Sequence, residues 1–150
     1  MVSIRYRRKI ALLKLLAALL FVIAGIWLIY MIPTAGFIRQ ILTVIAIILA
    51  FGFFGQYLFL FIYFLFKPST EILKYDHENI YYKDQVIAFK EIEKTVNGYI
   101  PRKTLPGGVP GFRFKLKNGE LFEVPTYHLF MVEEFAEYDE KLEKLVLKNN

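Results

Sequence analysis

Hydrophobic positions are distributed in two different ways along this chain, and the change falls near its middle. Residues 15–32 form an unbroken apolar run of eighteen, extended back to Ile10 if the long stem of Lys14 carries its charge outward. A helix rises ~1.5 Å per residue and a bilayer core is ~30 Å thick, so roughly 20 such residues suffice to cross it. A second run, 41–66, holds twenty-six residues without a charge, and within it only Thr43 and Gln56 are strongly polar. As a helix it would be ~39 Å long, so it is expected to tilt or to project into the interface. Pro33-Thr34-Ala35-Gly36 lies close before it and is too short and too rich in helix breakers for anything but an antiparallel hairpin. Gly52 and Gly55 are expected to let the first helix approach, with Gln56 bonding across to it or to a carbonyl.

After Lys67-Pro68-Ser69 the period shortens to two. Leu73 and Tyr75, Ile80 and Tyr82, and Ile87 and Phe89 alternate with other residues, and breaks fall at His77-Glu78-Asn79 and Lys83-Asp84-Gln85. These predict short antiparallel strands, followed by another across 90–99 that uses Ile92, Thr95 and Val96. Residues 101–111 are rich in proline and glycine and read as a loop. Beyond it, 112–116 and 120–124 predict a hairpin. A two-residue Asn118-Gly119 turn would put Phe122 and Val124 on the face of Arg113 and Lys115. A three-residue turn with Gly119 left-handed instead pairs Phe114 with Phe122 and Phe112 with Val124, which buries one consistent face and is therefore expected. From Tyr127 the pattern is helical again, with a stripe of Met131, Phe135, Tyr138, Leu142 and Leu145 that would lid the sheet, while the glutamates of this segment form its solvated face.

Charge divides at the same place as the periodicity. Six basic residues and no acidic one lie in 1–66, whereas 67–150 holds thirteen basic and fourteen acidic, so the net +5 of the chain comes from its apolar half. A nucleic-acid function loses its basis. The Arg5, Arg7, Arg8 and Lys9 cluster against a lone Arg39 places the N-terminus in the cytoplasm, and Lys67 puts the polar part on the same side. The first run continues through Trp27 to Tyr30, too far for the centre of a cleaved signal peptide, and no acylation or prenylation box is expected at either end. The absence of cysteine removes disulfides and thiolate chemistry.

The segment 21–28 with Gly25 and Trp27, the Phe51-Gly52-Phe53-Phe54-Gly55 stretch and Ile87-Ala88-Phe89-Lys90-Glu91-Ile92 resemble a family of uncharacterised bacterial two-helix membrane proteins. Their cytosolic part is similar to the bacterial pleckstrin-homology-like (PH-like) domain. A tryptophan is common where this chain has Phe89. The resemblance implies an α+β membrane protein in which a transmembrane helical hairpin (1–66, spans about 10–32 and 41–66) precedes a PH-like bent antiparallel sheet closed by a C-terminal helix (67–150). It implies no catalytic signature.

The residues add none. Ser3 and Ser69 lack a partnered base, and His77 and His128 have no ligand spacing. Gly107, Gly108 and Gly111 lie among prolines rather than between a strand and a helix, so they cradle no phosphate. No catalytic residue, cofactor or metal is expected. One candidate contact set remains: Arg102, Lys103, Arg113, Lys115 and Lys117, which in a domain tethered under a bilayer could meet anionic lipid headgroups, or alternatively form a solvated strand face balanced by Glu120 and Glu123. The expected role is a non-enzymatic membrane-anchored binding or scaffold module in the bacterial inner or plasma membrane. The expected partners are the bilayer, anionic headgroups or a membrane protein, and a second copy of the chain is also allowed. Self-protection against membrane-active bacteriocin-like peptides is the alternative. A transporter subunit or enzyme fits less well, since the apolar runs contain no acidic residue.

Overall fold

The computed structural model describes residues 1–32, 36–102 and 105–149. Pro33, Thr34 and Ala35 of the expected connection lie outside the described residues. The chain is a mixed α+β protein that divides into two compact units, Arg8–Pro68 and a second assembled from Met1–Arg7 with Ser69–Asn150.

The helical unit consists of α1 (Arg8–Met31) and a thirty-residue helix that begins as α2 (Phe37–Leu49), widens into a π turn (Ala50–Phe54) and ends as α3 (Gly55–Phe66). Both helices are long and apolar enough to cross a membrane. They meet along a seven-residue repeat: Ala11, Ala18 and Gly25 are buried on α1, and Ala50, Tyr57 and Phe64 on its partner. Gly25 faces Ala50, where an added Cβ would come within 2.8 Å of the alanine methyl carbon, and Phe21 stacks on Phe54 with ring centroids 4.0 Å apart. This register is antiparallel. At the paired ends, the Arg8 guanidinium donates to the carbonyls of Lys67 and Pro68 just past the C-terminus of α3. The small residues at the contact are therefore Ala11, Ala18 and Gly25 of α1 with Ala50 opposite. Gly52 and Gly55, expected in that role, have open space where a Cβ would stand. Gln56 likewise lies exposed, and among the described residues neither of the hydrogen bonds expected for it is formed.

The second unit holds two sheets. In the first, β1 (Val2–Arg5), β2 (Glu71–Tyr75), β3 (Asn79–Tyr82) and β4 (Gln85–Ala88) lie in sequential antiparallel order. β1 was not foreseen, because Arg5 and its neighbours read as a charge signal. Ile4 pairs opposite Leu73, both are buried, and the Tyr6 N–H continues to the Thr70 carbonyl. The first seven residues thus fold with this unit rather than with the helices.

A short 3₁₀ turn (Phe89–Glu91) with Phe89 fully buried carries the chain into the second sheet. There β5 (Ile92–Thr95) and β6 (Tyr99–Arg102) lie end to end along one edge of the twelve-residue β7 (Leu105–Leu116), and β8 (Leu121–Pro125) pairs with the other edge. Thr95 opposite Phe114 and Ile100 opposite Val109 belong to one register, and the Val96 N–H to Arg113 carbonyl bond bridges the interval. The proline- and glycine-rich segment expected as a loop is largely strand. Gly107 and Gly108 have φ of +80° and +75°, conformations that only glycine adopts without strain. Pro110, which lacks an N–H, still contributes its carbonyl to the N–H and hydroxyl of buried Thr126. The β7–β8 turn is the three-residue form: Phe112 pairs with Val124 and Phe114 with Phe122, and Gly119 is left-handed at φ +89°.

Helix α4 (Val132–Asn149) packs over β5 and the 3₁₀ turn. Phe135 stacks on Phe112 at 5.0 Å, Tyr138 meets Phe130 edge-on, and Leu142 and Val146 are buried. Two members of the expected stripe differ. Met131 precedes the helix and is exposed, and Leu145 is only half-buried because Val146, one position on, takes the core place.

Candidate functional site

The predicted basic set does not assemble. Arg102 is exposed at the end of β6, Lys103 lies outside the described residues, and Lys117 is exposed in the β7–β8 turn. Arg102 pairs with Leu105 and Lys117 follows Leu116, so the two stand at opposite ends of β7, on the order of 35–40 Å apart along the strand. The two cations between them are engaged. Arg113 Nε lies 2.9 Å from Glu123 Oε1, across the register that pairs these residues, and Lys115 Nζ lies 2.8 Å from Glu93 Oε2. Lys115 holds the Glu93 carboxyl below its ordinary range by that bond. Glu123 was foreseen as a balancing charge. Glu93 was not, since it reaches Lys115 only through the β5–β7 pairing, and Glu120 bonds Asn118 instead.

A different feature is a concavity of the sheet unit. It is a groove of about 350 Å³ between the far end of the β1–β2 pair and one face of α4, lined by Met1, Val2, Tyr75, Asp76, His77, Lys141, Lys144, Leu145 and Lys148. Its size is that of a small-ligand or side-chain site. Each wall has a local cause. Asp76 builds the β2–β3 turn by accepting the N–H groups of Glu78 and Asn79 at one oxygen and the Tyr81 hydroxyl at the other. The Glu78 N–H first, then the Tyr81 hydroxyl and the Asn79 N–H, depress its carboxyl below the usual range. The Asp76 charge is thereby occupied by the fold. The Asn149 amide donates to the His77 carbonyl and to Leu145, tying the end of α4 to the same turn.

On α4 the spacing of 141, 144 and 148 places three lysines on one helical face around Leu145. Lys141 and Lys144 each pair with the glutamate one turn earlier, Glu137 and Glu140. Such solvent-screened pairs are weak and exchange readily for another anion. Lys148 has no carboxylate partner among the described residues. An apolar floor from Val2, Tyr75 and Leu145 under a cationic rim can receive a group that is both anionic and partly apolar.

Among the described residues no nucleophile–base pair lines the groove. The Ser3 hydroxyl donates to Glu71 at 2.8 Å, Ser69 accepts the Glu71 N–H, and His128 lies beside the Tyr99 ring. Among the described residues no three His, Asp or Glu side chains gather as a metal site would require. Sequence reasoning missed the groove because its walls come from residues 1–2, 75–77 and 141–148. The one local signal was the three-then-four spacing of lysines about Leu145. Comparison with protein families, curated proteins and solved structures finds no match to the chain.

Proposed function

We propose that this protein is a non-enzymatic, membrane-anchored binding module: α1 and the α2–α3 helix cross the bilayer as a hairpin, and the sheet unit stands at the cytoplasmic face and engages a partner through the α4 groove. The observation that carries the reading is the pairing of β1 with β2. The hairpin is thereby inserted between two neighbouring strands of one sheet, with two residues linking β1 to α1 and four linking α3 to β2. Both ends of the hairpin return to one folded unit, as a two-pass topology requires. The helices support insertion in a second way. Their apolar side chains are mostly exposed, Leu20 at 67% and Phe59 at 73% among them, whereas the core helix of a soluble protein would bury such residues. The basic residues at the start of α1 favour the cytoplasm for both termini.

Four sequential strands, a second sheet built on β7 and a C-terminal helix over the open side support a PH-like reading of the unit. The groove, rather than the dispersed strand cations, is the contact surface, and its complement is an acidic segment bearing an apolar side chain. Two measurements test this. A reporter fused after Asn150 should be active on the cytoplasmic side, and external activity would overturn the topology. The intact protein purified in mild detergent should retain its partner when Lys115 is changed to Glu and lose it when Lys144 and Lys148 are reversed. Equal retention by both variants would remove the groove from the proposal.

A further inference from the structure

The polar groups of the thirty-residue helix are not treated alike. The Thr43 hydroxyl donates to the Arg39 carbonyl at 2.8 Å, and the Gln40 amide reaches the Ile32 carbonyl at 3.3 Å. Gln56 has neither kind of partner among the described residues and lies exposed. Its direction is set by α3, which buries Tyr57, Phe61 and Phe64 while Gln56, Phe59, Tyr63 and Phe66, at spacings of three, four and three, stay on the open side.

In a bilayer this position has a cost. Gln56 precedes Phe66 by ten residues, or ~15 Å of helix, which is half of a ~30 Å hydrocarbon core. A primary amide at that depth has two N–H donors and a carbonyl with no water to satisfy them. The glutamine side chain is too short to reach the headgroups from there. Something in the membrane must supply both a donor and an acceptor at mid-depth.

We propose that the occupant is a second copy of this chain, paired through reciprocal Gln56–Gln56 amide hydrogen bonds across a twofold axis along the membrane normal. The inference rests on the membrane-spanning reading above. The amide is self-complementary, and a copy inserted with the same topology presents its own Gln56 at the same depth and on the same open face. No other partner is bound to do so. Around the amides, the absence of a side chain at Gly52 leaves room for close approach, and the Phe59 and Tyr63 rings flank the contact.

The chain contains no cysteine, so single cysteines report proximity cleanly. Full-length Phe59→Cys in native membranes should form a disulfide-linked dimer on mild oxidation, and Leu20→Cys, on the exposed face of α1, should not. Adding Gln56→Leu to Phe59→Cys should lower dimer formation about 5- to 30-fold, while Gln56→Asn, which keeps the amide, should retain most of it. Equal cross-linking at positions 59 and 20, no cross-linking at 59, or a yield unchanged by Gln56→Leu would each overturn the pairing. Alkaline carbonate extraction separates the two readings: a chain that stays in the membrane without cross-linking refutes only the dimer, and one that is extracted refutes the spanning hairpin with it.

Discussion

Replacing Ile4 by alanine tests whether the first residues of the chain are part of the sheet unit. Ile4 is fully buried opposite Leu73, whereas Val2 on the same strand is 51% exposed. The substitution removes three carbons, each worth ~0.8 kcal/mol on burial, and leaves a cavity that the close-packed strands fill only in part. The sum is about 3 kcal/mol. The unit has 89 residues, seven from Met1–Arg7 and 82 from Ser69–Asn150. At ~0.05–0.15 kcal/mol per residue its stability is about 4–13 kcal/mol, so the loss is a large part of the total. Pulse proteolysis of the full-length protein across a urea series reads the unfolding midpoint without needing the single tryptophan, which lies in α1. With a urea dependence of ~1.5 kcal/mol per molar, Ile4→Ala should lower the midpoint by about 2 M. Val2→Ala should move it by less than about 0.5 M. If the two variants unfold together, β1 is not integral to the sheet, and the topology argument built on its pairing with β2 fails.

Gly111→Ala should destabilise the same unit by about 1–3 kcal/mol in the same assay, because the new methyl would meet the Ile100 side chain and come within 2.5 Å of the Val124 carbonyl oxygen, which no rotamer change relieves. In the helical unit, Gly25→Ala should lower the thermal stability of the detergent-solubilised protein, and Ala50→Gly in the same chain should restore part of it, since the shortest contact of the added methyl is with Ala50 and a second, at 3.2 Å, is with the Phe51 ring. Asp139 lies half-buried on α4 between the positions of Phe135 and Leu142, and burial first, then the Glu143 charge, raises its pKa. The folded state therefore holds this proton more tightly than the unfolded chain. Its ionised form weakens the fold at neutral pH, and the penalty fades as pH falls through the raised pKa toward the ordinary carboxylate range. Asp139→Asn should accordingly stabilise the protein at pH 7, with the gain over wild type shrinking on acidification; a gain that grows at low pH would contradict this sign. Asp76 behaves oppositely, since its depressed pKa contributes stability above the ordinary range that is lost as pH falls through the folded value.

What could be read from the chain alone was carried by short-range regularities. Two long apolar runs must become helices wherever water is excluded, since no other structure satisfies their backbone internally, and both are helical here. Alternation of period two placed β2, β3 and β4, and the β7–β8 register followed from requiring one buried face across a single turn. These features depend on residues within a few positions of each other. Four others depended on partners remote in sequence. β1 is four residues long and became a strand only because Leu73, some seventy positions away, completes its buried pair. β7 runs through prolines and glycines because β5, β6 and β8 supply its ladder from both edges. Lys115 was neutralised by Glu93 through the β5–β7 pairing, while lysines on α4 became one wall of a groove whose other wall is formed by β1 and β2. Gln56 was visible as a lone amide in an apolar run, but which side of its helix faced α1 was decided by packing against Ala11, Ala18 and Gly25. Periodicity defines faces on an element; only the neighbour that packs against one of them determines which face is buried.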